Sequence, residues 1–254
     1  MKKCINLNVN GYRSAIKKGL IDFLKKEDPD FITFQEVKIN DDLFFTNEEY
    51  FKNFFIVSNY AQKKGYSGVV TISKEKPITH KTKFNIPLFD EEGRVVLTEY
   101  SKFFLINVYF PSGTMGETRQ NIKDKFLWIF QDWLLGFSLT KPYLIVGDFN
   151  IAHQEIDIHN PKGLSKTSGF LPHERQWFSQ FLDQKHVDLF RFFYNDKVQF
   201  SWYSYRANSK NKNKGWRIDY AICNQFFCNF VSDIKIIDDY NFSDHQPLIC
   251  YFNL

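Results

Sequence analysis

From Lys3 to Val9 polar and apolar side chains alternate, the two-residue period of a half-buried β-strand. The period then lengthens: Ile16, Leu20, Phe23 and Leu24 share one helical face, so Ser14 to Glu27 reads as one helix stopped at Pro29. Phe31 to Gln35, Phe54 to Ser58, Gly68 to Ser73, Arg94 to Tyr100 and Phe103 to Tyr109 are short β-branched and aromatic runs separated by turn formers, and each predicts a strand.

Ile122, Phe126, Ile129, Phe130, Trp133 and Leu134 recur at helical spacing and predict the longest helix, Glu117 to Phe137, whose buried stripe must cover a sheet. Tyr143 to Gly147 is a further strand. A polar loop follows from Asn150 to Pro172, then a helix from about His173. Strands resume at Val198 to Tyr205, Trp216 to Cys223, Val231 to Ile237 and Leu248 to Phe252. Many strands with few helices fit two sheets packed face to face with helices outside, an α/β four-layer sandwich. No fixed-period repeat or linker interrupts the chain, so residues 1–254 are expected to form a single domain.

Composition narrows the class. Hydrophobic residues make up 43% and aromatics 19%, enough to exclude a disordered chain, and no apolar run approaches membrane-spanning length. Cys4, Cys223, Cys228 and Cys250 form no CxxC pair, which argues against zinc or dithiol redox chemistry and predicts four buried thiols in a reducing compartment. The first residues already belong to a strand, leaving no room for a signal peptide, so a soluble, cytoplasmic monomer is expected, nucleoid-associated in a prokaryote. A net charge of +4 permits a polyanionic partner without requiring one.

Candidate chemistry gathers where predicted strands end: Asn8 and Asn10, Glu36 and Lys38, Tyr109, then Asp148 and Asn150. Any one alone is explained by a turn or a helix cap. Together they put carboxylates and carboxamides on one rim, where they can converge on an ion or substrate. Asp244-His245 adds a carboxylate and an imidazole before the last strand. Oxygen donors of this kind suit Mg²⁺, with Mn²⁺ as a substitute, better than Zn²⁺.

These residues fall into motifs: Asn8-Val9-Asn10-Gly11 with Arg13, Gln35-Glu36-Val37-Lys38, Gly65-Tyr66-Ser67-Gly68 and Glu92-Gly93-Arg94. Further along come Asn107-Val108-Tyr109, Gly147-Asp148-Phe149-Asn150, Asn160-Pro161-Lys162-Gly163, Trp216-Arg217-Ile218-Asp219-Tyr220 and Ser243-Asp244-His245. In them the chain resembles, over nearly its whole length, the exonuclease III type of abasic-site (AP) endonuclease in the endonuclease/exonuclease/phosphatase superfamily. The resemblance implies Mg²⁺-dependent hydrolysis of the DNA backbone 5′ to abasic sites, with possible 3′-5′ exonuclease or 3′-end cleaning activity, on double-stranded DNA carrying abasic sites or damaged 3′ ends.

It also implies roles. Glu36 would be the principal metal ligand, with Asn8, Asn10 and Asp244 completing or supporting the site. Asp148 would align and deprotonate the attacking water, Asn150 would orient it, His245 held by Asp219 would donate to the scissile phosphate, and Tyr109 would contact the same group. The general base could be Asp148 or His245. Asn10 stands where some members carry Asp, which weakens the case for a second metal, and Met115 stands where some relatives insert an Arg into DNA.

Trp202, Trp216 and Ile218 resemble the walls of a pocket for a flipped-out abasic sugar, with Tyr66, Asn160 and Arg217 as further DNA or pocket contacts. Arg206, Lys210, Lys212 and Lys214, interleaved with Trp202, Tyr203, Tyr205 and Trp216, suit a backbone-tracking surface, though by themselves they would be read as a solvated hairpin loop. Lys63, Lys64 and Lys162 are phosphate-contact candidates or ordinary surface charge.

Overall fold

A computed structural model describes residues 1–136 and 141–254. In chain order the strands are β1 (Lys2–Asn8), β2 (Phe31–Gln35), β3 (Phe55–Asn59), β4 (Val69–Ser73), β5 (Thr79–Lys81), β6 (Val95–Glu99) and β7 (Phe104–Tyr109). They continue with β8 (Tyr143–Asp148), β9 (His186–Asp188), β10 (Trp202–Tyr203), β11 (Gly215–Trp216), β12 (Asp219–Asn224), β13 (Val231–Ile236) and β14 (Leu248–Phe252). Among the described residues they form two six-stranded mixed sheets, ordered β13-β14-β1-β2-β4-β3 and β5-β6-β7-β8-β12-β9, and a β10-β11 ribbon. Each six-stranded sheet has one parallel pair near its centre, β1 with β2 and β7 with β8.

Nearly every residue of β1, β2, β4 and β8 is buried, because each sheet is covered on both faces. Ile5, Leu7, Ile32, Phe34, Val70 and Ile72 pack outward against the helices Tyr12–Lys17 and Leu20–Glu27. On the far side Ile106, Val108, Ile145, Tyr220 and Ile222 pack against Glu117–Leu135 and Pro172–Asp183. Between the sheets lie Cys4, Phe31, Phe103, Leu105, Leu144, Val146, Leu248 and Cys250. This is the four-layer sandwich expected.

The space between the sheets also holds buried amides. Gln35 Nε2 donates to Asn6 Oδ1 and to Asn107 Oδ1, both at 2.7 Å, and Asn107 Nδ2 donates to the carbonyls of Phe34 (3.2 Å) and Val70 (2.9 Å). Asn107 belongs to one sheet, Asn6 and Gln35 to the other, so these bonds tie the sheets directly together.

Several expected elements differ. The predicted helix Ser14 to Glu27 is two helices, interrupted at Gly19, whose φ of 94° is left-handed and cheap only for glycine. The predicted strand Val198 to Tyr205 keeps only Trp202–Tyr203, because its backbone bonds go to the Trp216 carbonyl and the Asp244 loop. Trp216 to Cys223 is interrupted at Arg217-Ile218, where the arginine turns inward. Strand β5 is exposed throughout and shows no apolar period. The long helix is described to Leu135, and its expected end at Phe137 lies outside the described residues. Cys4, Cys223 and Cys250 are buried as expected, whereas Cys228 is only partly so, and all four are free thiols.

Candidate active site

Strand register assembles the site. Asn8 at the end of β1 lies beside Gln35 of β2, so Glu36 follows at the same rim. In the other sheet Tyr109 pairs in parallel with Asp148, and Asp148 pairs in antiparallel with Asp219. The parallel pairing explains the glycine before Asp148: a Cβ on Gly147 would meet the Val108 carbonyl oxygen at 1.8 Å. Ser243 Oγ donates to the Asn8 carbonyl (2.7 Å), and Gln246 N–H to the Ser201 carbonyl (2.7 Å), which seats the Asp244-His245 segment over the junction of the sheets.

Glu36 has left-handed backbone (φ 49°) and projects into the rim. Its Oε1 accepts from Tyr109 OH (2.7 Å) and Asn8 Nδ2 (3.0 Å), and Lys38 Nζ sits 2.9 Å from its Oε2. Burial alone would raise its pKa, but Lys38 and the bonds from Asn8 and Tyr109 outweigh burial and hold the carboxyl below its ordinary range.

Asp148 is buried and accepts from Asn150 N–H and Asn8 Nδ2, both at 2.8 Å. Burial pushes its carboxyl up, the neighbouring Asp219 and Glu36 carboxylates add to that, and His245 opposes it. His245 Nδ1 lies 2.9 Å from Asp219 Oδ2, and its Nε2 lies 3.8 Å from Asp148 Oδ2. Burial would depress the imidazole, but Asp219 and Asp148 more than reverse this and raise it. Asp219 thereby fixes the Nδ1–H tautomer and aims Nε2 at Asp148. At 3.8 Å Asp148 and His245 do not share a hydrogen bond, but each one's charge biases the protonation of the other.

Ligand atoms of Glu36, Asp148 and His245 lie within 4.8 Å of one another, the one such group found among the described residues. The two carboxylates of this group fit a divalent cation that prefers oxygen donors. The other expected metal residues hold supporting positions. Asn8 Oδ1 accepts from Asn10 N–H (3.0 Å), which turns the amide nitrogen of Asn8 toward the carboxylates. Asn10 accepts from Lys38 Nζ and donates to Asp244 Oδ1 (3.0 Å), and Asp244 Oδ2 accepts from Trp202 Nε1 (3.0 Å).

Next to this cluster is a cavity of about 300 Å³ whose lining includes Glu36, Asp148, His245, Trp202, Trp216 and Ile218. The two indoles meet edge to face with centroids 6.2 Å apart. Ser112, Thr114, Thr167 and Ser168 also line it, and nothing in their sequence context singled them out. A slightly larger cavity, about 330 Å³ at Leu134, Tyr143 and His186, has no carboxylate in its lining and lies apart from the chemistry.

Other expected contacts fall elsewhere. Arg217 is a correction: it is fully buried, and its guanidinium bonds Asp157 (2.7 and 3.0 Å) and Asp188 (2.8 and 3.2 Å). A fully buried cation with four of its five N–H donors on carboxylates presents none of them at the surface, so Arg217 braces the link between Trp216 and Ile218 from behind. Lys210 is likewise turned inward, donating to the Tyr240 carbonyl, Asn241 Oδ1 and Gln246 Oε1 at 2.8 to 2.9 Å. Arg206, Lys212 and Lys214 remain exposed. Asn160 is exposed and caps a short helix by accepting from Gly163 N–H (3.2 Å). Tyr66 OH accepts from Arg94 (3.1 Å) and Arg119 (3.0 Å), outside the cavity lining. Lys63, Lys64 and Lys162 are exposed, as is Met115 at 85%.

The sequence pattern of the endonuclease/exonuclease/phosphatase family matches residues 5–245. The chain belongs to this family. Two packed mixed sheets flanked by helices are the fold it shares with an AP endonuclease from Archaeoglobus fulgidus, at a TM-score of 0.90 and 24% identity over 100% of both chains. It is 37% identical over 254 residues to the exodeoxyribonuclease of Bacillus subtilis (strain 168), covering 99% of this chain and 100% of that protein. It is 35% identical over 254 residues to the DNA repair nuclease APEX1 of Danio rerio, covering 98% of this chain and 81% of that protein. As a member of this family the chain is a hydrolytic nuclease of the exodeoxyribonuclease and AP endonuclease type, and no helix among its described residues is long and apolar enough to cross a membrane.

Proposed function

We propose that the chain hydrolyses the DNA backbone 5′ to abasic sites in a Mg²⁺-dependent reaction and also trims damaged 3′ ends, acting as a cytoplasmic monomer. The observation that carries this reading is the junction of the Asp148, His245 and Glu36 cluster with a cavity bearing Trp202, Trp216 and Ile218. A hydrolytic centre joined to an indole-walled pocket suits a sugar that has lost its base, because an intact nucleotide would collide with those walls. The name of the Bacillus subtilis relative favours the additional 3′-end activity.

Glu36 would hold Mg²⁺, with Asp148 and His245 at the same focus and Asn8, Asn10 and Asp244 around it. Bound there, the ion would offset the negative charge that develops on the phosphate and the leaving 3′-oxygen. Asp148 accepts the proton of the attacking water, a task for which its upward-shifted carboxyl is suited. Asn150, bonded to Asp148 through its N–H and its side chain, orients the same water. His245, kept protonated by Asp219, donates to the phosphate, and Tyr109 OH contacts it from the Glu36 side.

The test is incubation with three labelled duplexes, one with a single abasic analogue, one undamaged and one with a recessed 3′ end, each with Mg²⁺ or with chelator. Incision beside the analogue only with Mg²⁺, and little cutting of the undamaged duplex, is the expected result. Equal cutting of damaged and undamaged duplexes would remove abasic selectivity from the reading.

A further inference from the structure

The long helix Glu117–Leu135 carries an ammonium that its amphipathic pattern does not explain. Lys123 is completely buried, and its Nζ reaches Glu174 Oε1 at 2.5 Å and the carbonyl oxygen of Asn150 at 2.8 Å. Glu174, on the helix Pro172–Asp183, is equally buried, and its second oxygen accepts from the N–H groups of Gly169 (2.7 Å) and Leu171 (3.0 Å). Gly169 in turn accepts from Ala152 N–H at 2.8 Å. The pair therefore holds both ends of the polar loop that leaves β8. Neither residue lines the cavity.

Stability alone is a poor account of such a pair. Removing two charges from water offsets most of their attraction, and well-packed apolar residues of similar volume commonly serve a fold as well. An apolar pair could not donate to Asn150. That residue is left-handed (φ 53°), and its N–H and carboxamide both bond Asp148, at 2.8 and 3.3 Å. Its backbone is thus held on one side by the buried ammonium and on the other by the carboxylate at the centre of the site.

We propose that Lys123 is a positioning residue for hydrolysis: held by Glu174, it fixes the Asn150 turn and, through it, the Asp148 carboxylate and its water. This rests on the phosphodiester-hydrolysis reading above.

The test variant is Lys123→Met with Glu174→Gln, which removes both charges and leaves a carboxamide oxygen for Gly169 and Leu171. A second variant, Lys123→Leu with Glu174→Gln, likewise removes both charges and the donor to Asn150 and is read in the same way if the first does not fold. Steady-state cleavage of the abasic duplex should show kcat lowered about 10- to 100-fold with KM within about threefold, as expected when a reacting group is misplaced and binding is intact. Hydrogen exchange without DNA should show the Asn150 amide exchanging at least about tenfold faster, with Ile145 and Ile222 in the central strands unchanged.

A folded variant with parental kcat and parental Asn150 exchange overturns the proposal. So does either quantity moving without the other, a uniform loss of protection, or failure of both variants to fold, since each would make the pair structural only. If the parental protein leaves abasic DNA intact, it is the proposed function that fails, and the exchange measurement still decides the positioning role.

Discussion

At the scale of single residues, Glu36 offers the cleanest test of the metal assignment. Glu36→Gln keeps its shape and one acceptor but removes the charge that attracts a cation, and the bonds from Asn8 and Tyr109 can still be made. Activity in limiting Mg²⁺ should collapse and partly return as Mg²⁺ is raised, while urea unfolding stays near parental. Parental turnover in limiting Mg²⁺ would take Glu36 out of the metal site. In the proposed reaction Asp148 and His245 act as one unit. Each Ala variant should therefore lose on the order of 10² to 10⁴ in rate, and the double variant should lose far less than the product of the two. Full multiplicativity in single-turnover cleavage would assign them separate tasks. These residues were legible in the sequence because each follows an apolar strand or precedes one, so strand ends alone bring them together. Arg217 was not. Next to Trp216 in a basic stretch it reads as a surface cation, and the Asp157 and Asp188 carboxylates that bury it are 60 and 29 residues away.

At the scale of elements, the segment joining β11 to β12 places two pocket walls on either side of that buried arginine. Removing the arginine leaves Asp188 buried without that cation and Asp157 dependent on Arg191, so Arg217→Met should cost about 3 to 5 kcal/mol, read from urea unfolding. A loss under 1 kcal/mol, with DNA affinity sharply reduced, would return Arg217 to the DNA surface. Trp216→Ala should leave stability nearly parental and instead narrow the preference for abasic over intact duplex, because a widened cavity no longer excludes a base. Unchanged discrimination in paired cleavage assays would exclude the indole as a selector. Long, strongly patterned elements were readable from the sequence; their interruptions were not. The left-handed break at Gly19 and the inward turn at Arg217 are set by neighbours that a local apolar period does not record.

At the scale of the whole molecule, a net charge of +4 is modest, and the basic stretch contributes less than its composition suggests because Lys210 is committed inward. Arg206, Lys212 and Lys214 remain exposed and are the proposed sequence-blind phosphate contacts. Replacing those three should weaken binding to damaged and intact duplexes alike and flatten the salt dependence by up to about one unit per lost contact. A change confined to abasic DNA in titrations at several salt concentrations would contradict this. The site itself is shared between the two sheets, with Asn8 and Glu36 at the end of one and Tyr109, Asp148 and Asp219 at the end of the other. Apolar layers grip without a preferred offset, so a sandwich held only by its oily middle could creep by a fraction of a residue and spoil the focus. The amides of Asn6, Gln35 and Asn107 remove that freedom. They act as alignment pins, so the separation of Glu36 from Asp148 is set one residue inward of the first and two inward of the second, before any ion or DNA arrives.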